Sequence, residues 1–220
     1  MKRRLVEITL VFMSFFLPGF LRQDLPLAGD SFPAAGYMLG FLLLAAPQTL
    51  LLGYLLWLQK DPPLSLFGMV RIRLRDPLWA LGILSGLFLL ILVLGLAASL
   101  ISGGKSGLLE KGFRWRLSGA SQLPLAALFS VVTGYREELF FRCYLLTRLG
   151  ELGVPPLFAL LAGGLLFSSG HLYQGPAGLL LGLVQGFYFG TLFLKFRNIH
   201  PLALAHGLYN FSVLLATLWL

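Results

Sequence analysis

The stretch WALGILSGLFLLILVLGLAASLI, residues 79–101, decides the fold. It contains no charged residue and exceeds the roughly 20 apolar residues that a helix needs to cross a bilayer. Hydrocarbon offers the backbone no hydrogen bonds, so a crossing segment must satisfy its own N–H and C=O groups as a helix or within a closed barrel. We therefore predict a membrane-spanning helix over this stretch.

Apolar, charge-poor runs recur on both sides of it. They lie at 5–21, 36–58, 120–135 (continuing as a helix toward 149), 155–171, 176–194 and 201–220. Of the 220 residues, 57% are hydrophobic and 12% are charged, and the mean hydropathy is +0.83. This composition excludes an ordinary soluble domain. The sequence predicts an all-α, polytopic integral membrane helix bundle of about seven (six to eight) transmembrane helices.

The basic residues flank these apolar runs. The net charge of +8 therefore indicates lipid headgroups as partners and not nucleic acid. With the N-terminus inside, ten Lys and Arg residues lie on the inner side and five on the outer side. The positive-inside rule then predicts a cytoplasmic N-terminus and an outer C-terminus. We expect an integral protein of the bacterial inner membrane.

Two longer loops, 59–76 and 102–118, divide the chain. All of the clustered polar residues inside apolar runs follow the second loop. We expect a single functional unit with N-terminal transmembrane helices and loops at 1–118 and a transmembrane core at 119–220.

Two adjacent glutamates, Glu137 and Glu138, interrupt the run that begins at 120. A carboxylate in hydrocarbon costs at least about 2.5 kcal/mol, so such residues are kept where partners and a function compensate. Glu138 and Arg142 are four residues apart, on one helix face, and can form an ion pair. Glu137 projects about 100° away and must face a different partner.

Three further polar residues could join Glu137 in a hydrolytic site. A desolvated carboxylate such as Glu137 is suited to act as a general base on water, and His171 could hold the same water. His206 and Asn210, again four residues apart, could offer N–H groups to an oxyanion. Structural readings stay open, namely an ion-pair network for the glutamates and helix-bridging hydrogen bonds for His206 and Asn210.

Bare helix geometry brings only part of this set to one depth. Measured from the turn at 149–155, Glu137 lies about 18 Å and His171 about 24 Å along their helices, but His206 only about 8 Å. Helix tilt, a deeper turn or a broken helix would be needed to bring His206 level with the other two.

The pattern Glu137-Glu138-x-x-x-Arg142, Phe167-x-x-x-His171 and His206-x-x-x-Asn210 resembles the three motifs of the CAAX protease and bacteriocin-processing (CPBP or Abi) family. These are type II CAAX prenyl endopeptidases and their bacterial relatives. The resemblance implies an intramembrane endopeptidase in which Glu137 and His171 activate water. It also implies that His206 and Asn210 form the oxyanion site, that Glu138 and Arg142 support them, and that 119–220 is the catalytic core.

The resemblance implies a peptide or lipidated protein as the substrate, with membrane lipid as the surrounding partner. The family has been described both as metalloproteases and as metal-independent glutamate proteases. We favour a metal-free water site with no cofactor. Zinc is the alternative, and Glu137, His171 and His206 would then be its ligands.

Two other functional classes remain open. One is a non-catalytic immunity or binding protein that keeps the site but not turnover. The other is an ion or proton transporter, since intramembrane carboxylates also mark ion paths, although the sequence shows no inverted repeat of the kind many transporters have.

The remaining polar residues near the motifs are interpreted structurally. We expect Arg136 to extend its charge to the membrane interface and His200, just before Pro201, to be a loop residue. Cys143 is expected to be a small buried apolar residue, and Gln185 to serve packing.

Overall fold

The computed structural model describes residues 2–21, 34–58, 63–101 and 116–219. Throughout these segments the regular structure is helical, with no β-strand. The helices are α1 (Lys2–Leu21), α2 (Ala34–Leu58), α3 (Asp76–Ile101), α4 (Leu123–Glu138), α5 (Thr147–Glu151), α6 (Pro156–Ser169), α7 (Gly175–Phe196) and α8 (Ile199–Ala216). A π-helix, Leu139–Leu146, joins α4 to α5 without a break, so the described segments form seven helical rods. The predicted all-α bundle is confirmed.

Four of these elements are long and apolar enough to cross a membrane: α2, α3, α7 with the turn before it (Leu172–Phe196) and α8 with the turn after it (Ile199–Trp219). Helix α6 is apolar but shorter. Large apolar side chains face outward on the long helices, as Leu43 (79% exposed) and Leu100 (84%) show. In water this surface would drive aggregation, and the lipid of a bilayer covers it.

Glycines allow the helices of the core to approach closely. A Cβ atom on Gly134 of α4 would lie 2.5 Å from the Ala203 carbonyl oxygen and 2.8 Å from the Gly207 nitrogen of α8. A Cβ on Gly186 of α7 would lie 2.7 Å from Cα of Gly164 on α6. Small residues at such positions are typical of packed membrane helices, which is the packing role that the glycine spacing indicates.

The first three helices pack around this core. Phe16 of α1 lies edge-to-face against Phe140 of the π-helix, with ring centroids 5.0 Å apart. Phe41 of α2 makes a similar contact with Phe129 of α4, at 5.0 Å. On the other side, the Tyr188 hydroxyl of α7 donates to the Ile83 carbonyl of α3 at 2.9 Å. Helices α1 and α2 therefore lie against the rod that carries the two glutamates.

The π-helix is the main departure from the predicted elements, because the sequence predicts a continuous α-helix from 120 toward 149. A π-turn closes with an i→i+5 hydrogen bond and is often found at functional sites. Here it begins directly after Glu138, and all of its side chains are buried. Cys143 is among them, as expected.

Candidate active site

The site is built around the carboxylate of Glu138, which is fully buried. Its Oε1 atom accepts a hydrogen bond from His206 Nδ1 at 2.8 Å. Its Oε2 atom lies 3.1 Å from Nε of Arg142, so the ion pair that the spacing predicts is present. The carboxylate thus links α4, the π-helix and α8, and both of its oxygens face a nitrogen.

His206 reaches Glu138 because α4 and α8 run antiparallel. Each Cα–Cβ bond in a helix leans toward that helix's N-terminus, so side chains on antiparallel neighbours lean in opposite directions along the helix axes, and Glu138 and His206 are placed so that they meet. The start of α8 lies beside Thr147, since Arg197 Nη1, two residues before α8, donates to Thr147 Oγ1 at 3.4 Å. Nine residues separate Thr147 from Glu138, and nine separate Arg197 from His206. The depth mismatch expected from the 149–155 turn is therefore wrong, because α8 begins near Thr147 and not at that turn.

Glu137 faces the opposite nitrogen of the same imidazole. Its Oε2 atom lies 3.6 Å from His206 Nε2, and 17% of its side chain is exposed, compared with 0% for Glu138. One histidine ring therefore lies between two carboxylates. An imidazole can donate to both sides only when each nitrogen carries a proton. His206 is the different partner that Glu137 requires.

Aromatic rings fix this polar group from its other sides. Phe189 of α7 stacks on the His206 ring, with centroids 5.3 Å apart and the planes 15° from parallel. The guanidinium of Arg142 lies over the Phe167 ring at 4.6 Å and the Phe189 ring at 5.6 Å. These contacts combine packing with cation–π attraction and hold both side chains in one orientation.

His171 approaches from the end of α6. Its Nδ1–H donates to the Phe167 carbonyl at 3.1 Å, and its ring lies on Gly182, where a Cβ would come within 3.2 Å of Nδ1. It is close enough to Glu137, His206 and Arg142 to interact with each of them electrostatically. With Nδ1 engaged, Nε2 is the nitrogen of His171 that can take part in chemistry.

Asn210 lies one turn beyond His206 on α8 and is partly buried. Within the described part of the chain, its side chain makes no hydrogen bond. Next to it, Tyr209 lies near the side chain of Gln185, whose backbone oxygen accepts from Arg142 Nη2 at 3.3 Å. The structure thus groups Glu137, Glu138, Arg142, His171 and His206, with Asn210 at the edge of the group.

Comparison with known families adds a decisive observation. Residues 119–212 match the family model described as type II CAAX prenyl endopeptidase Rce1-like. This part of the chain is similar to an Rce1-like domain. The resemblance drawn from the three motifs is confirmed, and all of the predicted site residues lie within the match. No curated protein and no solved structure matches the chain.

The match covers α4 to α7 and most of α8. Helices α1 to α3 lie outside it. An Rce1-like domain supports a membrane protease of the CAAX type in general, which accords with the apolar helices around it.

The Rce1-like domain does not present a ready zinc site. Among the described residues, no group of three or more His, Cys, Asp or Glu side chains could hold a metal ion. His206 Nε2 and Glu137 Oε2 lie 3.6 Å apart. Nδ1 of His171 and Nδ1 of His206 are each already hydrogen-bonded to a protein oxygen. Zinc needs three or four ligands at about 2.0–2.2 Å, so this arrangement does not fit it.

Two polar residues near the Rce1-like site differ from expectation. Arg136 is 4% exposed and points between α1 and α2, so the interfacial prediction is wrong. His200 is the second residue of α8, not a loop residue; its Nε2–H donates to the Val70 carbonyl at 2.8 Å and its Nδ1 accepts from the Tyr135 hydroxyl at 3.1 Å. In the sequence, Arg136 stands beside Glu137 and His200 stands at a helix start. Neither position reveals which group the side chain binds.

Proposed function

We propose that this protein is an intramembrane endopeptidase that hydrolyses a peptide bond in a membrane-associated or lipidated substrate. The observation that supports it most is the buried cluster in which His206 lies between Glu137 and Glu138 inside apolar helices. Such a cluster is costly to keep in a membrane, and it carries the groups that amide hydrolysis needs. The Rce1-like match of the same residues supports the same reaction class.

In the proposed reaction, Glu137 is the general base and His171 helps to hold the attacking water. Glu137 removes a proton from water as the water oxygen bonds to the carbonyl carbon of the scissile amide. The negative charge that develops on the carbonyl oxygen is stabilised by N–H groups of His206 and Asn210. The C–N bond then breaks, and Glu137 returns the proton to the leaving amine, so that one water is consumed and the base is regenerated.

Glu138 and Arg142 have supporting roles in this scheme. The hydrogen bond from His206 Nδ1 to Glu138 sets the orientation of the ring and leaves Nε2 directed toward Glu137 and the reacting atoms. Arg142 balances the charge of Glu138. A catalytic group oriented by a third residue is a general feature of hydrolytic sites.

The proposal uses a metal-free water site, and the positions of the described donors support this choice over zinc. It assigns catalysis to a core at 119–220, with 1–118 as additional transmembrane helices and loops, in the inner membrane of a bacterium with the N-terminus in the cytoplasm. The substrate would reach the site from the bilayer, since the site lies among helices that face lipid.

The test uses purified protein in lipid vesicles and an internally quenched peptide whose C-terminal Cys-aliphatic-aliphatic-X sequence carries an S-farnesyl group. We expect wild-type protein to cleave it, Glu137→Ala to be inactive although folded, and EDTA to have no effect. Mass spectrometry of the products gives the cleaved bond. Equal cleavage by wild type and Glu137→Ala would refute the role of Glu137, and inhibition by EDTA that zinc reverses would refute the metal-free site. Binding of the peptide without turnover would favour the non-catalytic binding protein.

A further inference from the structure

Arg136 is a buried cation held entirely by neutral groups of the two N-terminal helices. Its Nε donates to Oε1 of Gln48 on α2 at 3.1 Å, and its Nη2 donates to the backbone carbonyl of Phe15 on α1. Its guanidinium also lies over three aromatic rings, those of Phe15 (5.2 Å), Phe16 (4.8 Å) and Phe41 (5.2 Å). One side chain thus connects α4 to both α1 and α2.

The acceptor that α1 offers to Gln48 results from a proline. Pro18 has no N–H, so the carbonyl four residues earlier, that of Ser14, loses its helical partner. Gln48 Nε2 donates to this carbonyl at 2.6 Å, while Oε1 of the same amide accepts from Arg136. The side-chain amide of Gln48 therefore joins the interrupted turn of α1 to the guanidinium on α4.

Arg148 is a second buried arginine in this fold and offers a comparison. It is also fully buried, but it lies near carboxylates: Nη1 is 2.8 Å from Glu151 and Nε is 3.3 Å from Glu7. Arg136 has no salt bridge with any described carboxylate. The carboxylate with which it interacts electrostatically is that of Glu137, the next residue along the chain.

We propose that Arg136 is a positioning residue for Glu137 and that, through it, α1 and α2 belong to the catalytic unit. The inference rests on the proposed role of Glu137. Fixing the Arg136 side chain on three sides fixes the turn of α4 from which Glu137 projects toward His206. Among the described residues, its hydrogen-bond partners, Gln48 and Phe15, lie outside the Rce1-like match, so the match alone does not delimit the working site.

The test compares Arg136→Met with Arg148→Met in lipid vesicles, using the farnesylated quenched peptide and thermal unfolding. Both substitutions remove a buried arginine, and both are expected to lower the unfolding temperature. Of these two variants, only Arg136→Met is expected to lower kcat per folded molecule. The expected fall is about 10-fold or more with KM little changed, because small displacements of a reacting group have effects of this size. Gln48→Leu is expected to lower kcat in the same direction, and adding it to Arg136→Met should lower kcat little further, because the two act through one contact.

The outcomes separate the two proposals. Wild-type cleavage that depends on Glu137, together with an unchanged kcat in Arg136→Met, would overturn the positioning role alone. An equal fall of kcat in Arg148→Met would overturn it as well, since the effect would then be general destabilisation. Cleavage that does not depend on Glu137 would overturn the proposed function and this inference with it. If Arg136→Met does not fold, Gln48→Leu and Arg136→Lys, which keeps the charge but not the planar fork, give the same comparison.

Discussion

Four consecutive residues on one turn of α4 make different contacts and have different roles. Tyr135 donates to His200, Arg136 joins α1 and α2, Glu137 faces Nε2 of His206, and Glu138 binds Nδ1 of His206 and pairs with Arg142. Successive side chains on a helix point about 100° apart, so each residue meets a different neighbour. The two glutamates are therefore chemically distinct even though they are adjacent.

At this scale we predict that Glu138→Gln destabilises the protein and that Glu137→Gln does not. Glu138→Gln leaves Arg142 buried without its carboxylate, which costs about 3–5 kcal/mol. Glu137 is partly exposed and has only the longer contact to His206, so its substitution should change stability by about 1 kcal/mol or less. Denaturant unfolding in detergent measures both values.

A double variant provides the control for that prediction. Glu138→Gln combined with Arg142→Met removes both charges together, and a buried pair replaced by uncharged groups is often tolerated. The double variant should therefore lose less stability than the two single losses added together. Strict additivity would mean that Arg142 and Glu138 do not depend on each other, contrary to the geometry.

At the scale of elements, the contact of α4 with α8 brings Glu138 and His206 together. The contact is close because Gly134 and Gly207 carry no side chain. Gly134→Ala is expected to push the two helices apart, lowering stability by about 1–3 kcal/mol and reducing hydrolysis. Gly82→Ala on α3 is the matched control, since a Cβ there meets nothing within 4 Å; it should be nearly neutral. Unfolding and activity assays check both, and a Gly134→Ala variant as stable and active as Gly82→Ala would contradict the account.

The sequence indicates the elements of this fold better than their depth. The apolar runs, the Glu138–Arg142 spacing and the three motifs are local signals, and they predict the seven rods, the ion pair and the family. The depth of His206 depends on where α8 begins in the bundle. That place is marked by the contact between Arg197 and Thr147, which are far apart in sequence. The π-helix after Glu138 depends on packing that its residues meet only in the folded bundle.

Arg136 shows a different limit of sequence-based prediction. An arginine within reach of an interface normally extends its charge to the headgroups, and its sequence neighbours suggest nothing else. Its actual partners are Gln48 and the carbonyl of Phe15. Gln48 in turn binds the carbonyl that Pro18 leaves free. Pro18 indicates in the sequence that a carbonyl of α1 is left free, but only the assembled helices show which side chains meet these carbonyls.

At the scale of the whole molecule, the charge distribution predicts a cytoplasmic N-terminus. Cys143, the single cysteine of the chain, is buried, so introduced cysteines can be labelled against a silent background. In intact bacterial cells, a membrane-impermeant maleimide should label Ser118→Cys but should label Ser65→Cys only after lysis. Both serines are exposed. Labelling in the reverse order would invert the orientation.

The polar cluster lies inside the bundle, with lipid-facing helices around it, so a protease at this site would act on substrates that the membrane delivers. The proposed chemistry depends most on Glu137, because this carboxylate is partly exposed and also lies 3.6 Å from His206 Nε2.

The most direct measurement is kcat of Glu137→Gln on the farnesylated quenched peptide in lipid vesicles, with the unfolding temperature recorded in parallel. Loss of a general base predicts a fall of at least about 100-fold with an unfolding temperature close to that of the wild type. A kcat equal to that of the wild type, in a folded protein, would contradict the central claim.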